Sequence, residues 1–123
     1  MIRTEESMGD VRRLRVVAEA EDLILEVYRS TQNFPAEERY GLRAQLRSAA
    51  VSVGLNLAEG CGRMGDGDFR RSLSIARGSV GELELGLRVA SRLGITDEAA
   101  LEKVRPLVRR VGGMITMLIR RMG

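Results

Sequence analysis

The chain has 123 residues, 44% of them hydrophobic, 30% charged and only 3% aromatic, and a net charge of +3. That leaves room for one domain whose core is Leu, Val, Ile, Ala and Met, a composition suited to packed helices rather than to a sandwich or barrel. With no His, no Trp and a single Cys, an intrachain disulfide and a thiolate metal cluster are excluded, and most catalytic chemistry with them.

Residues 1–9 carry acids where a signal peptide would need an apolar run, and nowhere do ~18 apolar residues follow one another as a membrane span requires. A cytoplasmic location is therefore expected. Residues 1–9 read as a flexible leader, and residues 10–123 as a single bundle domain. Asp10 is the expected N-cap of a helix over 11–31, with Leu14, Val17, Ile24 and Tyr28 on its inner face and Ala18 and Leu25 beside them.

Pro35 suits a first helical turn and opens a second helix over 36–59. Leu42, Leu46, Ala49, Val53 and Asn56 fall at alternating steps of four and three, the seam of a left-handed bundle. Residues 48–58 carry no charge, and Ala50, Val51, Leu55 and Leu57 spread the apolar surface around the circumference. A helix covered on several sides belongs at the centre of a bundle or at a subunit interface.

Residues 60–67 form a Gly-rich connector, with Gly60 expected as a left-handed C-cap. Asp66 or Asp68 then caps a third helix reaching residue 93. Its seam of Phe69, Leu73, Ala76, Val80, Leu83, Leu87 and Ala90 keeps steps of four and three without a miss. Gly78, Gly81 and Gly86 each cost that helix ~1 kcal/mol relative to Ala, which predicts the close approach of another backbone. Gly94 ends it.

Thr96, Asp97 and Glu98 open a fourth helix over 97–121. Leu101, Val104, Val108, Val111, Ile115, Leu118 and Met122 give it a strict stripe, and Pro106 in its interior is expected to kink or divide it.

Charge is unevenly spread: residues 1–35 hold five Arg against seven acids, whereas residues 103–123 hold six basic residues and no acid. The acidic first helix and basic last helix are suited to attract each other, or the basic one to meet a polyanion. Arg105, Arg109, Arg110, Arg120 and Arg121, joined by Arg70, Arg71 and Arg77 of the third helix, are the candidate nucleic-acid contacts. The guanidinium fork suits phosphate. Few aromatics are present for bases to stack on, so binding is expected to be led by the backbone and sensitive to salt.

Asn56-Leu57-Ala58-Glu59-Gly60, then Gly62-Arg63, Phe69, Gly78-Ser79 and Glu82-Leu83-Glu84 resemble the signature of the four helix bundle protein family, also called the ribosomal-RNA intervening-sequence protein family. The resemblance runs from about residue 16 to the end. Gly81, the extended leader and Pro106 depart from the family pattern. The resemblance implies an all-α, antiparallel up-and-down four-helix bundle assembling as a ring-like homopentamer. It also implies kinship with the accessory variability proteins of diversity-generating retroelements, basic pentameric bundles associated with nucleic acid and a reverse transcriptase. It implies no known enzymatic activity.

Within the signature, Asn56 interrupts an apolar seam, where an amide without partners costs roughly 1–3 kcal/mol; it is expected to fix register and oligomeric state. Glu59 and Arg63 are placed to pair across the helix end, and Glu82 and Glu84 to meet Arg of neighbouring helices. The Gly-rich connector lacks the Lys-Ser/Thr ending of a P-loop, and Asp66-Gly67-Asp68 is too short for an EF-hand. No catalytic residue, cofactor or metal is expected. Two functions remain open: an interaction scaffold binding RNA or DNA through Arg, or a protein-protein accessory subunit, for example of a reverse transcriptase.

Overall fold

The structure is a computed structural model that describes the backbone of residues 5–62 and 65–122 and the side chains of 11–62 and 65–122. Four helices are present, α1 (Glu5–Ser30), α2 (Leu42–Gly62), α3 (Asp66–Leu93) and α4 (Glu98–Met122), with a short 3-10 turn at Ala36–Glu38 before α2. No strand occurs among the described residues. Each helix packs along two neighbours, α1 and α3 both lying against α2 and α4, while among the described residues the backbones of the diagonal pairs stay apart. Contacts advance along one helix as they recede along the next: Ser52 meets Ser79 and Gly60 meets Ser72 between α2 and α3. This is the expected antiparallel up-and-down bundle.

The core is one cluster at the centre of the square. All seven predicted seam residues of α3, Phe69 to Ala90, are buried, as are Leu101, Val104, Val108, Val111, Ile115 and Leu118 of α4. Phe69 is the largest fully buried side chain, and removing its ring would cost ~3–5 kcal/mol. Over its ring, 4.1 Å from the centroid, lies the Arg13 guanidinium. Arg13 also donates to Asp66 at 3.1 Å, and its carbonyl accepts from the Cys61 thiol. One residue of α1 thereby ties together both ends of the α2–α3 turn.

Several local expectations are corrected. α1 begins at Glu5, so Asp10 lies inside the helix and does not cap it. Its inner face is Val16, Ala20, Leu23 and Val27, all fully buried, whereas Leu14 is 65% exposed and Leu25 and Tyr28 also face out. Of the expected inner face, Val17 and Ile24 are half-buried against the core, while Leu14 and Tyr28 lie on the outer side of the helix. α2 starts at Leu42, whose N–H is capped by the Glu38 carboxylate at 2.9 Å.

Gly60 is no C-cap: it is buried within α2, where a β-carbon would stand 2.7 Å from Ser72 Cβ and 3.0 Å from Phe69 Cδ1. It is the notch that lets α3 close on α2. The α3 N-cap is Gly65, with Asp66 and Asp68 in the first turn, where they favour the helix dipole. Gly94, at φ 64°, is the left-handed terminator expected of it. α4 runs unbroken through Pro106. The proline is exposed, so the Glu102 carbonyl it leaves without a donor lies at an exposed residue, and the buried stripe on either side holds the helix together.

Candidate nucleic-acid interface

Because the α4 stripe points inward, the residues midway between its members point out: Pro106, Arg109, Gly113, Met117 and Arg120 are all exposed. Flanking them are grooves on both sides of α4. Between α1 and α4 lies a cavity of about 570 Å³ lined by Arg12, Arg15, Arg109, Arg110 and Arg121, with Met114 and Leu118 at its base and Met117 at its side. Between α3 and α4 a second cavity of about 710 Å³ holds Arg77, Arg109 and Arg120 over Val80, Val108 and Met117. Arg109, Gly113 and Met117 belong to both.

The fold thus gathers Arg109, Arg110, Arg120 and Arg121 with Arg77, and adds Arg12 and Arg15. Those two had been counted as part of an acidic helix. In α1, Arg12, Arg13 and Arg15 stand between Glu5, Glu6 and Asp10 before them and Glu19 after, and antiparallel packing sets Arg12 and Arg15 beside the basic end of α4. A single ion pair, Arg110 to Glu19 at 3.3 Å, crosses between these helices among the described residues. Arg15, Arg109, Arg120 and Arg121 form no ion pair with a described residue. Arginines left unpaired in one groove hold a positive potential that attracts anions.

The other three candidates line neither groove, although Arg105 shares a smaller cavity of about 160 Å³ with Arg109. Arg105 is half-buried and engaged with Glu98 at 3.0 Å and with Glu102, contacts that raise its pKa. The Glu98 carboxyl is held below its ordinary range by hydrogen bonds from Arg105 and Ser91. Arg70 donates to the carbonyl of Met122, at the end of α4. Arg71 is on the α2 side of α3, sharing a cavity of about 310 Å³ with Asn56, Glu59 and Asp68.

Asn56 is half-buried and beside the seam, which passes through Leu57; its amide donates to the Ser52 carbonyl at 2.8 Å and to Ser52 Oγ at 3.2 Å. Ser52 Oγ in turn meets Ser79 Oγ at 2.8 Å, so Asn56 is linked to the α2–α3 contact through a serine pair. Arg63, and with it the expected Glu59–Arg63 pair, lies outside the described residues. Glu82 and Glu84 are exposed, and neither forms an ion pair with a described residue. Glu84 lines the α3–α4 groove opposite Arg109 without pairing to it.

Arg47, which the sequence reading passed over, joins α2 to α1. Its Nε donates to Thr31 Oγ1 at 2.9 Å, its Nη2 to the Tyr28 carbonyl at 3.1 Å, and its guanidinium lies 4.5 Å from the Tyr28 ring centroid. Burial and the nearby Arg43 lower its pKa. Among the described residues no group of His, Cys, Asp and Glu is arranged to hold a metal, and no helix is long and apolar enough to cross a membrane.

The fold is similar to the crystal structure of a protein of unknown function from the S23 ribosomal protein family of Bacteroides thetaiotaomicron. The TM-score is 0.80 at 15% identity, covering 89% of this chain and 98% of that one. At that identity the likeness speaks for the fold alone. No curated protein matches the chain. The sequence profile of the 23S rRNA-intervening sequence proteins matches residues 12–117. That match starts in the first helix and ends in the last, and the chain belongs to the 23S rRNA-intervening sequence protein family.

Proposed function

We propose that the protein is a non-enzymatic, homo-oligomeric helical scaffold that binds the backbone of RNA or DNA through the arginines flanking α4. The observation that carries this reading is the convergence of Arg12 and Arg15 on Arg109, Arg110 and Arg121 around one groove. Among the described residues one carboxylate, that of Glu19, pairs with this group, at Arg110. A polyanion displaces counterions from such a groove, which gives affinity that falls steeply with salt.

Self-association is supported by two apolar stripes that the single chain leaves uncovered. On α1 the outer stripe is Val11, Leu14, Ala18 and Leu25, with Glu21 among them; on α3 it is Ile75, Gly78, Leu85 and Val89 around Glu82, and every one of these residues is exposed. Leu55 of α2, 64% exposed, extends the second stripe. α1 and α3 are diagonal in the bundle, so their outer stripes face opposite ways. Two different faces on opposite sides suit a head-to-tail contact, and a head-to-tail contact that closes makes a ring. Five copies is the number that the family resemblance implies. In such a ring a weak basic groove gains avidity by repetition.

The same apolar stripes would serve a polypeptide partner such as a reverse transcriptase, the accessory-subunit reading. Filter binding separates the two. The nucleic-acid reading expects retention of a generic RNA or duplex DNA at low salt, and its loss when Arg109, Arg110, Arg120 and Arg121 are replaced by Ala. Retention unchanged by those substitutions, or none at the outset, refutes it.

A further inference from the structure

We infer that the α1–α4 groove takes a single strand, seating an unstacked base on its Met-lined floor while Arg12, Arg15, Arg109 and Arg121 hold the phosphates on either side. This rests on the nucleic-acid reading above and narrows it. A groove that served phosphates alone would need only charge on a convex surface. Here the groove is recessed between two helices, with Met114 and Leu118 as its apolar floor and the exposed Met117 as an apolar wall.

A duplex presents phosphates and sugars outward and keeps its bases stacked, so it would leave that floor in contact with water. A single strand can turn a base inward, bury its face against thioether and aliphatic carbon, and sandwich it with a guanidinium plane. Arg does here what aromatic side chains do in other single-strand binders, and the chain is nearly without aromatics.

Gly113 makes the path continuous. It is exposed, and a β-carbon there would meet nothing within 4 Å. Its neighbours along the outer face are the long side chains Arg109 and Met117. At Gly113 the ridge of α4 therefore drops to bare backbone between the two grooves, which share Arg109 and Met117 as walls. A strand leaving the α1–α4 groove can cross that saddle to Arg77 and Arg120 on the other side. A duplex is too wide to follow it.

The test uses the full chain and two fluorescein-labelled probes, an unstructured RNA and the same RNA annealed to its complement, with polyglutamate as competitor. The single strand is expected to bind more tightly at equal phosphate concentration. Gly113→Leu fills the saddle without altering charge, and Met117→Gln removes the apolar wall. Each is expected to weaken the single strand by roughly tenfold, the worth of one seated base, and to leave the duplex unchanged.

Folding of both variants is checked by thermal melting, and position 113 has the space for a side chain. Equal or tighter binding of the duplex overturns the inference, as does loss of both probes alike in the variants, or displacement of the single strand by polyglutamate as readily as by unlabelled RNA. Binding of both probes that depends on the arginines but not on residues 113 and 117 refutes the single-strand site and leaves the broader reading standing. Binding of neither probe refutes both.

Discussion

Gly60 of α2 and Ser72 of α3 are in such close contact that a β-carbon on the glycine would lie 2.7 Å from that of the serine. The neighbouring Phe69 ring, 3.0 Å away, is fully buried and cannot swing aside. Gly60→Ala should therefore overpack the α2–α3 contact by about 1–3 kcal/mol, offset in part by the better helix propensity of Ala. The net loss expected is about 1–2 kcal/mol. Gly81→Ala has open space around it and should instead add about 0.5–1 kcal/mol. Urea midpoints at one protein concentration check both; a Gly60→Ala protein as stable as the wild type would contradict the notch.

Arg47 joins α2 to the end of α1 through Thr31 and Tyr28. Thr31 is buried and its hydroxyl donates to the Val27 carbonyl at 2.7 Å, so the guanidinium is what satisfies its lone pair. Arg47→Ala should destabilise by about 1–2 kcal/mol, the range for a charged hydrogen bond discounted for partial exposure. Arg47→Lys should recover only part, because a point charge cannot serve Thr31, the Tyr28 carbonyl and the ring together. Urea denaturation of the two variants reads the difference.

Acid should weaken the α3–α4 corner. Glu98 accepts from Arg105 and from Ser91 and is lowered below its ordinary pKa by them. A carboxyl depressed in the folded state contributes stability that is present above its unfolded pKa and is lost as pH falls through the folded one. The gap in melting temperature between wild type and Glu98→Gln should accordingly be open at neutral pH and close below the ordinary carboxylate range. A gap constant through that range would show that the ion pair contributes nothing.

The uncovered stripes give a test of assembly that does not depend on counting subunits. Leu25→Glu spoils the α1 face and Leu85→Glu the α3 face. Each alone should be monomeric by light scattering, since a head-to-tail contact needs both. Mixed, the two variants retain one sound face each and should form a dimer that grows no further. Variants that stay in a ring, or a mixture that stays monomeric, would rule out the proposed faces.

The legible parts of the fold are those where one stripe runs without competition. The α3 seam from Phe69 to Ala90 and the α4 stripe from Leu101 to Leu118 had single solutions, and both are the buried faces. α1 carries apolar residues in more than one register. Leu14, Val17, Ile24 and Tyr28 are collectively bulkier than Val16, Ala20, Leu23 and Val27, so side-chain size drew the expected face about one residue off the buried one, keeping Val17 and Ile24 at its edge. Periodicity says that a face is buried and not what buries it.

Gly60 was misread for a related reason, because glycine near a helix end satisfies a C-cap and a packing notch equally well. The groove was half legible. Arg109, Arg110, Arg120 and Arg121 stand together in the chain, but Arg12 and Arg15 reach them only through the antiparallel pairing of the first and last helices. Their spacing of three, with Glu19 four beyond, was the signal that they share a face.

The most direct test of the account is the salt dependence of RNA binding in charge-matched variants. Replacing Arg109 and Arg121 with Ala should lower the slope of log affinity against log salt by roughly two. Replacing Arg39 and Arg71, equal in charge but exposed away from α4, should leave it nearly unchanged. If the two pairs lower the slope equally, or if binding does not vary with salt, the groove beside α4 is not where the protein holds nucleic acid.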